Sequence, residues 1–237
     1  MSTERNAMAW EWLAQQKGAP IETVAELCGV SRPRIYELVR QWRRAGFVET
    51  ARMPSQGPNG SWSTSLWVWP TRETGWAFLG FDPGPWFPRV TTVAHVRALA
   101  ELRLRLTGTA LDPLVWTSER LLRHRDPGLR EAGRRYLHVH DAEFSDSSGV
   151  RWALEAELTR KKGADRLATV VRTALEAART RELAGVVYFV RGSAVRAGID
   201  AAVRSLAEAG AAELLQSLDV RDLDEFLTAG TSSEEVS

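Results

Sequence analysis

The sequence predicts a mixed α/β protein, α+β overall, built as two domains. Three observations lead there. The first 80 residues read as short helices followed by two strands and a closing helix. The rest runs helix, strands, helix, strand, helix, strand, the order of an α/β domain. Composition also shifts between the halves. Of ten tryptophans, Trp10, Trp12, Trp42, Trp62, Trp67, Trp69 and Trp76 fall in the first 80 residues, and the second half is rich in Ala, Leu, Arg and Glu.

Within the first domain, residues 7–16 form a helix closed by "KGAP", with Gly18 as stop and Pro20 as the next start. A second helix covers about 20–28. Gly29 then permits a tight turn, Ser31 caps the following helix, and Pro33 fits its first turn, where no intrahelical amide is needed. Ile35, Leu38, Val39 and Trp42 recur at helical spacing and predict a buried stripe. Arg32, Arg34, Arg40, Arg43 and Arg44 are left on the outer surface. This pattern resembles a winged helix-turn-helix, with the helix at about 32–45 in the recognition position. Phe47–Met53 and Trp62–Trp69 are the wing strands, and "PSQGPNG" is its tip. The tryptophans are expected to pack rather than to stack on bases.

The chain has 237 residues and a formal charge of +1. Any affinity for nucleic acid must therefore come from a local surface. Between Ser31 and Arg52 six arginines face two glutamates, a local excess of +4. Such a patch supplies sequence-independent attraction to phosphates, with Arg side chains free for guanine edges. Duplex DNA is the expected partner; the alternative is a winged helix that binds protein. The lone cysteine, Cys28, excludes an internal disulfide and a cysteine-rich zinc site. No signal peptide or membrane-length apolar run is visible, so the expected compartment is the cytoplasm, with no membrane partner.

Residues 81–110 are expected to hold a Pro/Gly-rich linker and a long amphipathic helix at 90–106. Its stripe is Val93, Val96, Leu99, Leu102 and Leu106, with Arg97, Arg103 and Arg105 on the polar side. This helix is free to pack on either domain or to pair with a second copy. The C-terminal domain spans 111–228, and residues 229–237 are expected to be a disordered tail.

That second domain carries the candidate chemistry. Residues 117–125 begin a helix, 135–144 form a strand, "SDSSG" turns, and 150–158 form the next strand. Alternation puts Val150, Trp152, Leu154, Ala156 and Leu158 on an apolar face. Glu155 and Glu157 share the other, roughly 7 Å apart along the strand. Asp141 ends the neighbouring strand. Converging carboxylates suit Mg²⁺ or Mn²⁺, hard cations that take oxygen ligands. On the same alternation His138 and His140 point away from Asp141, which makes them poor partners for its metal. No phosphate-cradling glycine loop, nucleophile elbow or zinc-spaced histidine pair is present, so an NTPase, a serine hydrolase and a zinc enzyme lack support.

Asp141, the turn and Glu155-Ala-Glu157 resemble the PD-(D/E)XK nuclease core. The segments "VAHVRALAELRLRL", "HDAEF", "WALEAELTRKK" and "VVYFV" are similar to the replication-relaxation proteins of actinobacterial plasmids and integrative elements. That resemblance spans about residues 7–218. It implies a winged helix joined to a nuclease-like domain that acts in replication or mobilisation of a mobile element. It also implies catalytic roles for Asp141, Glu155, Glu157, Lys161 and Glu119, with Asp141 and Glu155 as ligands of Mg²⁺ or Mn²⁺. Two departures qualify it: His140 replaces the motif's proline, and Glu157 stands where a lysine is usual, leaving Lys161 to supply positive charge. A transcriptional or copy-number regulator, with an inert nuclease-like domain used for dimerisation, is the alternative.

Overall fold

A computed structural model of the chain describes residues 3–56, 62–125, 138–159 and 164–229. It is a mixed α/β structure with two separate sheets, and it divides into two compact units, Met1–Pro113 and Leu114–Ser237.

The first unit begins with helix α1 (Thr3–Gln16), a two-residue strand β1 (Ala19–Pro20) and helices α2 (Ile21–Cys28) and α3 (Arg32–Arg44). Strands β2 (Val48–Gln56) and β3 (Trp62–Pro70) follow, then α4 (Arg72–Leu79) and α5 (Val93–Thr107). The sheet order is β1-β3-β2, all antiparallel. Pro54 therefore sits on an edge strand, where its missing N–H is tolerated. β2 runs to Gln56, further than its sequence pattern suggests, and residues 57–60 of the expected tip lie outside the described residues.

Two local expectations are corrected. Lys17, at φ 82°, takes the left-handed position after α1. Gly18 is needed for a different reason: a Cβ there would meet Trp86 at 2.8 Å and Trp69 at 2.9 Å. Ser31 occupies the N-cap position of α3 with extended backbone, but its side chain makes no capping hydrogen bond. The turn before it behaves as expected. Gly29 adopts φ 59°, and the Val30 N–H donates to the Ala25 carbonyl at 3.0 Å.

Tryptophan packing holds this unit together. Trp12 and Trp67 are fully buried, and Trp10, Trp42 and Trp69 nearly so. Trp10 stacks on Phe47 at 3.9 Å and meets Trp42 edge-on at 6.0 Å. Trp76 is exposed.

Helix α5 belongs to this unit: Ala100 and Leu104 join its main core, and Val93 and Val96 pack on Trp67 and Trp69. Arg103, expected on the polar side, is instead fully buried. Its guanidinium donates to the Trp12 carbonyl at 3.2 Å, Gln15 Oε1 at 2.6 Å and the Ala110 carbonyl at 3.0 Å. It also lies 4.7 Å from the centre of the Trp12 ring. Burial pulls its pKa down to about 9, against the attraction of Glu11.

The second unit contains β4 (Trp116–Ser118), α6 (Glu119–Arg125), β5 (Ala142–Ser145), β6 (Arg151–Glu157), α7 (Ala164–Thr180), β7 (Val186–Val190) and α8 (Ser193–Glu208). α9 (Ala212–Leu215), β8 (Leu218–Asp222) and α10 (Leu223–Thr228) complete it. The sheet order is β4-β5-β6-β7-β8, antiparallel through β4, β5 and β6 and parallel through β6, β7 and β8. Residues 117 and 118, expected to start a helix, form the edge strand β4, and 212–215, expected in the last strand, are helical. β5 begins only at Ala142; of the longer strand expected there, 138–141 are not strand and 135–137 lie outside the described residues. Of the expected tail (229–237), residues 230–237 are outside them too.

Residues 153–157 of β6 and all five residues of β7 are buried. Ala153, Val186, Tyr188 and Val190 pack with Leu167, Val171 and Leu175 of α7 and Val195, Ile199 and Ala202 of α8. The β5–β6 turn is fastened by Asp146, which accepts from the Ser148 and Val150 amides and from Trp152 Nε1. Among the described residues, no helix is long and apolar enough to cross a membrane.

Arg103→Ala removes the hydrogen bonds to Gln15 Oε1 and to the Trp12 and Ala110 carbonyls, and a buried acceptor left unmet costs about 1–3 kcal/mol. The expected loss is about 3 kcal/mol or more in the unfolding of the first unit. Denaturant titration followed by tryptophan fluorescence measures it. Arg103→Lys recovers only part, because one ammonium does not reproduce the planar fork.

Candidate functional site

The chemistry of the second unit gathers at the middle of β6. The β5–β6 register, continued by one residue, sets Asp141 opposite Glu155. Asp141 Oδ2 accepts a 2.9 Å hydrogen bond from the Ala156 N–H, the amide next to Glu155. Glu155 pairs across the parallel ladder with Tyr188, and Glu157 with Val190. Both glutamates are buried, 9% and 7% exposed. The solvated acidic strand face that alternation permits is therefore not what forms.

A carboxylate so placed needs partners, and Glu155 takes them from the segment before β5. His138 Nε2 donates to Glu155 Oε1 at 2.6 Å, and His140 Nδ1 donates to the same oxygen at 2.9 Å. The two imidazoles meet edge-on at 5.2 Å. Burial pushes the Glu155 pKa up, but the bonds and charge of His138 and His140 outweigh it and hold the carboxyl below its usual range. The expectation that these histidines face away rested on strand alternation. Residues 138–140 are not strand, so alternation does not apply and both rings turn to Glu155. The H-x-H spacing beside Asp141 was the one sequence signal for them.

Among the described residues, His138, His140 and Glu155 are the one group of three or more His, Cys, Asp or Glu residues whose ligand atoms lie within 4.8 Å of one another. Its donors are two nitrogens and a carboxylate, not the all-oxygen set that Mg²⁺ takes.

Tyr188 lies beneath this group. Its hydroxyl is buried and has no hydrogen-bond partner among the described residues, and its pKa is driven well above the usual phenol value by burial and then by Glu155, Asp141 and Glu157. Glu119 opens α6; its N–H donates to the Asp141 carbonyl at 3.0 Å, while its carboxylate pairs with Arg123 at 2.7 Å. Lys161 lies outside the described residues. Glu143, on the Ala153 side of the sheet, is held by Arg151 at 2.9 Å and Arg181 at 2.7 Å, a pairing that satisfies a buried acid without a metal.

In the first unit, α3 buries Ile35, Leu38, Val39 and Trp42 and exposes Arg32, Arg34, Arg40, Arg43 and Arg44. Arg34 pairs with Glu37 at 2.7 Å and Arg32 with Glu22 at 4.0 Å. Among the described residues, no acid pairs with Arg40, Arg43 or Arg44. The helix thus ends in three cations open to solvent.

No family model, curated protein or solved structure matches the chain.

Tyr188→Phe removes only a buried hydroxyl without a partner. Urea unfolding should show no loss and a gain of up to about 1 kcal/mol. The ultraviolet titration of tyrosine in the folded protein should be unchanged by this substitution, because the Tyr188 phenol stays protonated through the ordinary range.

Proposed function

We propose that the protein binds duplex DNA through α3 and carries a nuclease-like second unit, acting in replication or mobilisation of a plasmid or other mobile element. The observation that carries the DNA reading is the division of α3: an apolar stripe inside and five arginines outside, three of them without acidic partners among the described residues. A helix that follows a tight turn and precedes a long hairpin suits insertion into a major groove. Its arginines contribute phosphate contacts and, at its exposed face, donors for guanine. The mobile-element setting rests on the resemblance of the four quoted segments.

The antiparallel β4-β5-β6 meander followed by parallel β7, with Asp141 and Glu155 side by side, supports a nuclease-like reading of the second unit. Hydrolysis there depends on Asp141 and Glu155, with Glu157 behind them. One observation favours the second reading, a transcriptional or copy-number regulator whose nuclease-like unit is inert and serves dimerisation or assembly. Glu155 and Glu157 are almost wholly buried, and a phosphodiester must reach the groups that cleave it.

A plasmid carrying the protein's own locus separates these. With EDTA, Mg²⁺ or Mn²⁺, nicking that requires metal and is lost in Asp141→Asn/Glu155→Gln supports the nuclease. A mobility shift without cleavage in every lane supports the regulator. In either case Arg40→Ala/Arg43→Ala/Arg44→Ala should weaken binding across sequences. It should also flatten the dependence of log K on log salt by roughly 0.9 for each arginine that meets a phosphate. An unchanged slope sinks the α3 assignment.

A further inference from the structure

We infer that His138, His140 and Glu155 form a binding site for a borderline divalent transition-metal ion, with Zn²⁺ as its natural probe, and that Mg²⁺ is not its occupant. The inference does not depend on DNA binding or cleavage.

Three features carry it. First is convergence. The chain has four histidines, and two of them, from a segment with no regular structure, turn inward to one oxygen of one buried carboxylate. Ligand atoms of all three residues lie within 4.8 Å of one another, the spacing of donors around a single ion. A carboxylate oxygen only accepts, so each imidazole must present an N–H to it. Two protons thus occupy the space in which a cation would serve the same negative charge.

The second feature is incomplete satisfaction. His140 is fully buried, yet among the described residues its Nε2 has no hydrogen-bond partner, and neither has the hydroxyl of Tyr188, the residue across the ladder from Glu155. Buried polar atoms normally have partners, and two orphans on residues that bond or flank one carboxylate mark a place where a further group is accommodated. Glu143 is satisfied differently. That buried acid is closed by two guanidiniums, which have no lone pair for a metal. Glu155 is closed by imidazoles, which have one once the proton leaves.

The third feature is donor chemistry. Imidazole suits Zn²⁺, Fe²⁺, Ni²⁺ and Cu²⁺, whereas Mg²⁺ demands an octahedron of oxygens and dehydrates reluctantly. Two histidines and one carboxylate are three protein donors, the number that leaves a position open in a four-coordinate zinc site.

The test uses the full chain, free of any affinity tag and stripped with chelator. Zn²⁺ is titrated against a chromophoric chelator, alone and with millimolar Mg²⁺. The expected result is one tight equivalent per chain that Mg²⁺ does not displace. His138→Asn/His140→Asn should weaken binding by at least about a hundredfold, at or beyond the upper end of what loss of an outer-sphere partner costs. His95→Asn/His124→Asn should leave it unchanged. Should the first variant fail to fold, wild-type protein decides alone. On addition of one equivalent of Zn²⁺, the imidazole resonances of His138 and His140 should shift in ¹H–¹⁵N spectra and those of His95 and His124 should not. No stoichiometric Zn²⁺, displacement by Mg²⁺, or shifts confined to His95 and His124 would overturn the assignment. His138 and His140 would then serve only to satisfy Glu155 through hydrogen bonds.

Discussion

The second unit is organised around the burial of β6, which lies between antiparallel β5 and parallel β7 and has residues 153–157 withdrawn from solvent. A strand in that position is normally a run of apolar residues. Here it carries two acids, and an ionised carboxylate cannot be left unpaired in such surroundings. Everything near Glu155 answers that demand. His138 and His140 reach in from a segment outside the strand, and Asp141 accepts from the amide beside it. Tyr188 remains protonated under the combined negative charge. Were β6 an edge strand, water would do this work and no cluster would form.

Arg103 poses the same problem with the opposite sign and a different solution. It is a buried cation of the first unit, and its hydrogen-bond acceptors include two backbone carbonyls, at Trp12 and Ala110, and the Gln15 side chain. The Ala110 carbonyl, in the loop after α5, has no helical partner, and the Trp12 carbonyl lies in the last turns of α1. The guanidinium fork satisfies both and so joins two segments distant in sequence. Its depressed pKa marks the desolvation that remains uncompensated. Neither α1 nor α5 could be moved without reopening those acceptors.

These two cases explain what was legible in the sequence. The apolar stripe of α3, the Gly29 turn, the helices α7 and α8 and the apolar run of β7 all follow local spacing, and local spacing is what a sequence displays. The mixed α/β class follows from their order. The charge of Arg103 assigns it to the polar side, although it stands seven residues after Val96 and four after Leu99; the carbonyls it meets, from residues 12 and 110, hold it inside. Alternation turns His138 and His140 away only where they lie in a strand, and the strand begins four residues after His138. β4 is not legible locally, because three residues with Thr and Ser at a helix start carry two messages, and pairing with β5 decides between them.

Exposed and buried charges therefore obey different rules of inference. The arginines of α3 stay in water, and their electrostatic effect depends on number and local density, which a chain of near-neutral total charge displays openly in one short segment. Charges inside the second unit depend on who their neighbours are. Glu143 and Glu155 differ little as letters in adjoining strands, and their burial is similar. One is paired with guanidiniums and is chemically closed, whereas the other is paired with imidazoles that can exchange a proton for a metal. The candidate chemistry of this protein lies in that difference of partner, set by the tertiary fold rather than by the acid itself.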